Sequence, residues 1–314
     1  MKDLLRTYLE FRSARFSELG RERDAKAIGK QYYCGRPLPD EKVSNGILRE
    51  KLLLGAPLFV TRLGGVEERG IVSRTLNQKG LLNSIPENVL KALTENAGFY
   101  YRSVEDIDHF SQLYIEGLKQ ASFLACSGMK GERFLIKNFY LKKPLLAWKG
   151  LNPILFEHPF TEALAGKKIL VVSPFVETMS EQLKRQTLLF KNQNTLPSAT
   201  YLFVKSPVTF AGAKLPDCSW FETLNSTFEK IKVLDFDVAL LGCGSYGLPL
   251  AHRIFLMGRT AIHIGGPLQL LFGIRGNYYD NVPEIKELVN SAWVRPSVSE
   301  KPSGFQSVEG GCYW

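Results

Sequence analysis

Cysteine is scarce and unpatterned in this chain. Five cysteines (Cys34, Cys126, Cys218, Cys243, Cys312) are scattered over 314 residues without a C-x-x-C pair. That fits a reducing compartment and supplies neither a disulfide framework nor a zinc site. Histidine is scarcer still. His109, His158, His252 and His263 are the whole complement, and no H-E-x-x-H occurs, which argues against a zinc hydrolase. Long apolar runs are missing as well: the longest, such as residues 169–172 and 238–241, stop far short of the ~18 residues of a membrane span. Asp3, Arg6, Glu10, Arg12, Arg15 and Glu18 interrupt the opening stretch, so no secretory leader is expected. These absences predict a cytoplasmic protein, with at most peripheral contact at the inner face of the membrane.

Acidic residues are the minority charge. Forty Lys+Arg oppose 31 Asp+Glu, a formal charge of +9, which attracts polyanions, anionic lipid head groups or phosphorylated small molecules. Aromatic–basic interleaving, helix-turn-helix spacing and zinc-finger spacing are all absent, which argues against a nucleic-acid partner. The remainder is ordinary globular material, 45% hydrophobic and 23% charged. It is long enough for one large or two modest domains and shows no internal repeat.

Residues 1–30 read as a helix, because Leu5, Tyr8, Leu9, Arg12, Phe16 and Leu19 recur at three- and four-residue steps. Such a stripe packs on the body or, being basic, lies on an anionic membrane. Residues 31–42 carry Gly35, Pro37 and Pro39 and read as a linker. Ser44, Asn45 and Gly46 are expected to cap a short helix ending near Gly55, followed by a strand at residues 57–61. Residues 85–93, 104–126 and parts of 133–148 read as mainly helical, giving a helical insertion over about 80–148. From residue 166 the pattern is most regular. Strands at 168–173, 200–204, 236–241 and 260–264 alternate with helices at 178–191, 220–232 and 247–257. This alternation predicts an α/β, Rossmann-like, mostly parallel sheet flanked by helices, with residues 1–42 as N-terminal helix and linker and 43–314 as one domain.

Several residues could carry chemistry. Gly242, Gly244 and Gly247 form a G-x-G-x-x-G directly after a predicted strand and opening a helix. Glycines there permit a tight turn and close approach of a phosphate to backbone N–H groups at the helix N-terminus; the bland reading is close helix–strand packing. A nicotinamide or flavin dinucleotide also needs an acid about 20 residues further on, and residues 238–279 contain no Asp or Glu. Arg62, Gly64 and Glu67 fall just beyond a predicted strand, where open α/β sheets bind ligands. Arg62 can pair with a diphosphate, and Glu67 can hold a metal, a sugar hydroxyl or an acceptor proton. A surface ion pair is the bland alternative. Glu177 reads first as an acid complementing a helix dipole. His263, in an apolar strand beside Gly265 and Gly266, is either a satisfied core residue or part of a phosphate-binding edge. The aromatic tail, with Trp293 and Trp314, is expected to dock against the body.

With these residues assembled, the chain resembles the GT-D-type glycosyltransferases of bacterial surface-glycan assembly. The likeness rests on RLGGVE at 62–67, similar to the family's R-F-G-D-G-E, on KILVVSPFVETMSEQ at 168–182, and on the G-C-G-x-x-G-L-P-L…A-I-H-x-G-G…Q-L-L-F-G-I-R-G run at 240–276. It spans roughly residues 44–314. The resemblance implies transfer of a sugar from a nucleotide-sugar, above all a UDP-sugar, to a hydroxyl of a glycan, lipid-linked or protein-linked acceptor. It implies a donor site at Arg62, Gly64, Gly65, Gly242, Gly244, Gly247, His263, Gly265, Gly266 and Gln269. Glu67 becomes the leading catalytic carboxylate, with Glu177 and Glu309 in reserve. The family's Asp-x-Glu pair is halved here, because Gly65 stands at the Asp position. Two routes then remain for the leaving diphosphate. Glu67 and the substrate phosphates can hold Mg²⁺ or Mn²⁺, or Arg62, His263 and helix N-termini can neutralise the charge without a metal. An NAD(P)-dependent oxidoreductase and a catalytically inactive glycan-assembly partner are the competing readings.

Overall fold

The structure, a computed structural model, describes residues 32–129, 131–211, 213, 216, 218–308 and 310–314. The predicted helix at residues 1–30 and the reserve carboxylate Glu309 lie outside the described residues. A hairpin comes first, with β1 at Tyr32–Tyr33 and β2 at Arg36–Pro37. Seven further strands form one all-parallel sheet: β3 (Phe59–Arg62), β4 (Phe123–Cys126), β5 (Leu145–Ala147), β6 (Lys168–Ser173), β7 (Thr200–Lys205), β8 (Val238–Leu241) and β9 (Thr260–His263). Their spatial order is β5-β4-β3-β9-β8-β6-β7. The expected Rossmann-like α/β architecture is therefore present.

Helices cover both faces, which is why the strands are apolar at nearly every position. Alternate strand residues enter opposite cores. Phe59, Leu124, Leu170 and Leu241 pack into one cluster, whereas Val60, Ala125, Val171 and Leu240 pack into the other. On the first face lie α2 (Gly65–Gln78), α3 (Glu87–Glu95), α4 (Val104–Gln120), α5 (Glu132–Phe139), α7 (Trp220–Lys232) and α8 (Gly247–Leu256). On the second lie α1 (Glu41–Leu53), α6 (Val176–Leu183), the single turn α9 (Leu268–Leu271), and the tail with buried Trp293 and Trp314. Each fully buried leucine on these faces contributes about 2 kcal/mol of apolar transfer.

Three sequence expectations need correction. Within the expected linker at 31–42, residues 32–37 form a hairpin: Cys34 and Gly35 turn it with positive φ, and Arg36 donates to the carbonyls of Tyr140 (2.6 Å) and Lys143 (3.0 Å). Secondly, α1 is capped by Asp40, whose side chain accepts from the Val43 N–H. Ser44 and Asn45 are buried within it and tie distant segments, Ser44 Oγ accepting from Ala147 N–H and Asn45 Oδ1 from Phe160 N–H. Thirdly, the stretch about 80–148 is not a helical insertion alone, because β4 and β5 within it belong to the main sheet.

The tail docks as expected. Glu300 accepts from the backbone N–H groups of Glu177 and Thr178 and from Thr178 Oγ1, so a tail carboxylate supplies the cap that α6 lacks. Trp314 Nε1 donates to the Glu300 carbonyl.

Candidate functional site

In chain order the sheet grows outward from β3 through β4 to β5, then jumps across to β6, and returns through β8 and β9 to β3. The crevice beyond the carboxyl ends of β3, β9 and β8 is therefore a topological switch point, the usual ligand position in open α/β sheets. A cavity of about 800 Å³ opens there. Arg62 follows from β3, His263 from β9, Gly242 from β8, Ser173 from β6 and Ser127 from β4, and all line it.

Gly64, Gly65, Glu67, Gly244, Gly265, Gly266 and Gln269 line the same cavity. Arg62 has its Nε closed off and without a hydrogen-bond partner, while Nη2 reaches only the Leu63 carbonyl at 3.4 Å. Gly265, at φ +78°, brings its backbone against this guanidinium: a Cβ there would lie 2.6 Å from Arg62 Nη1. Glu67, in the first turn of α2, folds its carboxylate back over Gly64, where a Cβ would sit 2.0 Å from Oε2. Burial raises the Glu67 pKa, while its own backbone N–H and the charges of Arg62 and Arg69 oppose the rise. An Arg and a carboxylate with elevated proton affinity thus share one wall.

No protein-family model, curated protein or solved structure matches this chain.

The remaining residues expected at the site stand elsewhere or act differently. Gly247 is outside the cavity, packed so closely on His263 that a Cβ would meet Nε2 at 2.3 Å. His263 itself is buried, with Nδ1 3.2 Å from Thr61 Oγ1. Burial and the nearby Arg62 charge push its pKa down to about 3, so the imidazole is neutral and adds no positive charge to the wall. Glu177 lies outside the cavity in a surface ion pair with Lys205 (2.6 Å) and accepts from Ser299.

The cation implied by the family resemblance finds a poor donor set. The space a side chain at position 65 would enter is filled by Met129, whose Cε lies 2.1 Å from the Cβ position. A thioether therefore occupies the place of the second carboxylate. Among the described residues no group of three or more His, Cys, Asp or Glu side chains could hold a metal. These residues do not make a Mg²⁺ or Mn²⁺ site by themselves.

Sequence reasoning missed one wall. Ser127, Met129, Trp148, Lys149 and Asn152 line the cavity and follow β4 and β5. Reading those strands as helix removed the rule that would have placed their trailing residues at the site. A second omission lies behind Glu67. Glu68 accepts from Gly131 N–H (3.1 Å), and Glu132 accepts from Ser127 N–H (2.9 Å) and Gly128 N–H (3.1 Å). Two buried carboxylates thus hold the loop that carries Ser127 and Met129.

Proposed function

We propose that this protein is a glycosyltransferase that moves a sugar from a nucleotide-sugar donor, a UDP-sugar first among the candidates, to an acceptor hydroxyl in bacterial surface-glycan assembly. The observation that carries the reading is the joint placement of Arg62 and Glu67 in one cavity at the switch point, walled by Gly242, Gly244, Gly265 and Gly266. The parallel α/β fold is compatible with it.

Glycosyl transfer breaks the bond between the anomeric carbon and the diphosphate and forms one to the acceptor oxygen. Negative charge grows on the departing diphosphate, and Arg62, which lines the cavity together with Arg69 and Lys149, is the cation we assign to it. The N-terminus of α2 adds the positive end of its dipole on the same side, with the Glu67 carboxylate taking its own backbone N–H there. Glu67 receives the acceptor proton. Its raised pKa makes it a stronger base than an exposed carboxylate, and Arg62 beside it favours the ionised form needed to begin.

A thermal-shift screen of UDP-, GDP-, CMP- and dTDP-sugars, with and without Mn²⁺, tests the reading. A donor at 100 times its Kd stabilises the folded state by about 2.7 kcal/mol, so one nucleotide series should raise the Tm by several degrees. No shift with any sugar nucleotide, together with a shift by NADH or NADPH, would move the assignment to an oxidoreductase.

A further inference from the structure

The edge of the sheet opposite the cavity has a surface character of its own. Segments that lead into the amino ends of the parallel strands converge there, and most are helix C-termini. Six of the thirteen exposed large apolar side chains among the described residues lie in these segments: Leu53, Leu54, Leu141, Val233, Leu256 and Met257. They precede β3, β5, β8 and β9, which all fall within the run β5-β4-β3-β9-β8. At about 4.8 Å per strand step that run is about 19 Å wide. Single exposed leucines are unremarkable on a protein surface; a row of them on one edge is a different matter.

Charge on this edge has one dominant sign. Lys51 and Lys119 in helix ends and Lys142 in the turn before β5 are exposed, as is Glu50 beside Lys51; Lys232 is paired with Glu229, and basic residues remain the majority, as expected where cations complement helix C-termini. Asp235 is already paired with Lys168 and lies 3.7 Å from Arg259. The hairpin β1–β2, held to the carbonyls of Tyr140 and Lys143 by Arg36, brings exposed Tyr32 and the attachment point of residues 1–31 to the β5 end of this row.

We infer that this apolar and basic edge docks on an anionic lipid bilayer. Leucine, valine and methionine side chains enter the acyl boundary, while the lysines remain at head-group level and gain from the negative surface potential. No helix among the described residues is long and apolar enough to cross a membrane, so the contact is peripheral. Docked this way, the protein presents its cavity mouth to the aqueous side. The reading is independent of the chemistry proposed above.

The test uses the full chain and vesicles of phosphatidylcholine alone or with 30% phosphatidylglycerol, followed by co-sedimentation at low and high salt. The wild type should sediment with the phosphatidylglycerol vesicles, and 0.5 M NaCl should weaken this binding at least 5-fold. The variant carrying Leu54→Glu and Leu256→Glu should bind at least 10-fold more weakly with an unchanged Tm, because both side chains are already in water. Failure of the wild type to bind, or undiminished binding by the variant, overturns the proposal. A fall in Tm would show the row covered within the protein, and a concentration-dependent dimer lost in the variant would make it a protein interface; either result also overturns it.

Discussion

Glu67 and Glu68 are neighbours in sequence with opposite duties, since one faces the cavity and the other the loop behind it. Replacing Glu67 by Gln keeps the shape and removes the base. Glu67→Gln should lower turnover of the activated donor–acceptor pair by about 10²–10⁴-fold, while circular dichroism and donor affinity stay near wild type. Activity within a few-fold of wild type would take Glu67 out of the chemistry. Titration gives a second prediction with two signs. The folded pKa of His263 lies near 3, below its unfolded value, so the unfolded chain binds the extra proton. Stability is then lost as pH falls from about 6.5 toward 3, by up to about 1.4 kcal/mol per pH unit. The Glu68 pKa is raised, first by burial and then by the Glu132 charge. Its contribution is complete below the ordinary carboxylate pKa and is lost as pH rises through the raised value. A plot of Tm against pH should flatten on its acid limb in His263→Gln and on its alkaline limb in Glu68→Gln. Burial also lowers the pKa of His252, which leaves a residual acid slope. The motif residues of the site were legible because glycine, arginine and glutamate after a strand have a recognisable use. The Glu68–Glu132 pair was not, because burial alone distinguishes it from surface acids.

At the scale of elements, the start of α2 is where Gly65 stands in place of the Asp that an Asp-x-Glu pair would need. Gly65 and the end of the Met129 side chain fill each other's space, so a carboxylate at position 65 requires the thioether methyl to swing aside. Because that methyl is the free end of a flexible side chain, Gly65→Asp should change stability by no more than about 1 kcal/mol. It should also confer Mn²⁺-dependent stabilisation beyond that of the wild type, measured by calorimetry. A loss of more than about 3 kcal/mol would show that Met129 is locked in place. The elements themselves were unevenly readable. β6 and α7 agree with expectation at both ends because alternation and capping mark them; Ser219 and Glu222 form a full capping box on α7. β4 and β5 were lost for a physical reason. FLAC and LLA are buried on both faces, carry no polar alternation, and are too short for length to separate strand from helix.

For the molecule as a whole, the regular half of the chain was enough to establish the class of sheet, since repeated strand–helix alternation has few other solutions. It was not enough to give the strand order. Nothing in residues 44–62 announces that β3 will lie beside β9 rather than beside a sequence neighbour on both sides. That placement is set by the pairing Phe59↔Ala261 and Val60↔Ile262, and the cavity exists only because of it.

The β3–β9 pairing also has a kinetic side. Joining Val60 to Ile262 closes a loop of roughly two hundred residues, and contacts so far apart in sequence form slowly. A chain emerging from the ribosome can build β3, β4 and β5 early, yet β3 keeps one bare flank until the segment through His263 has been synthesised. The crevice beside Arg62 is therefore among the last features to come into being, and until then the nascent chain carries an open, apolar strand edge.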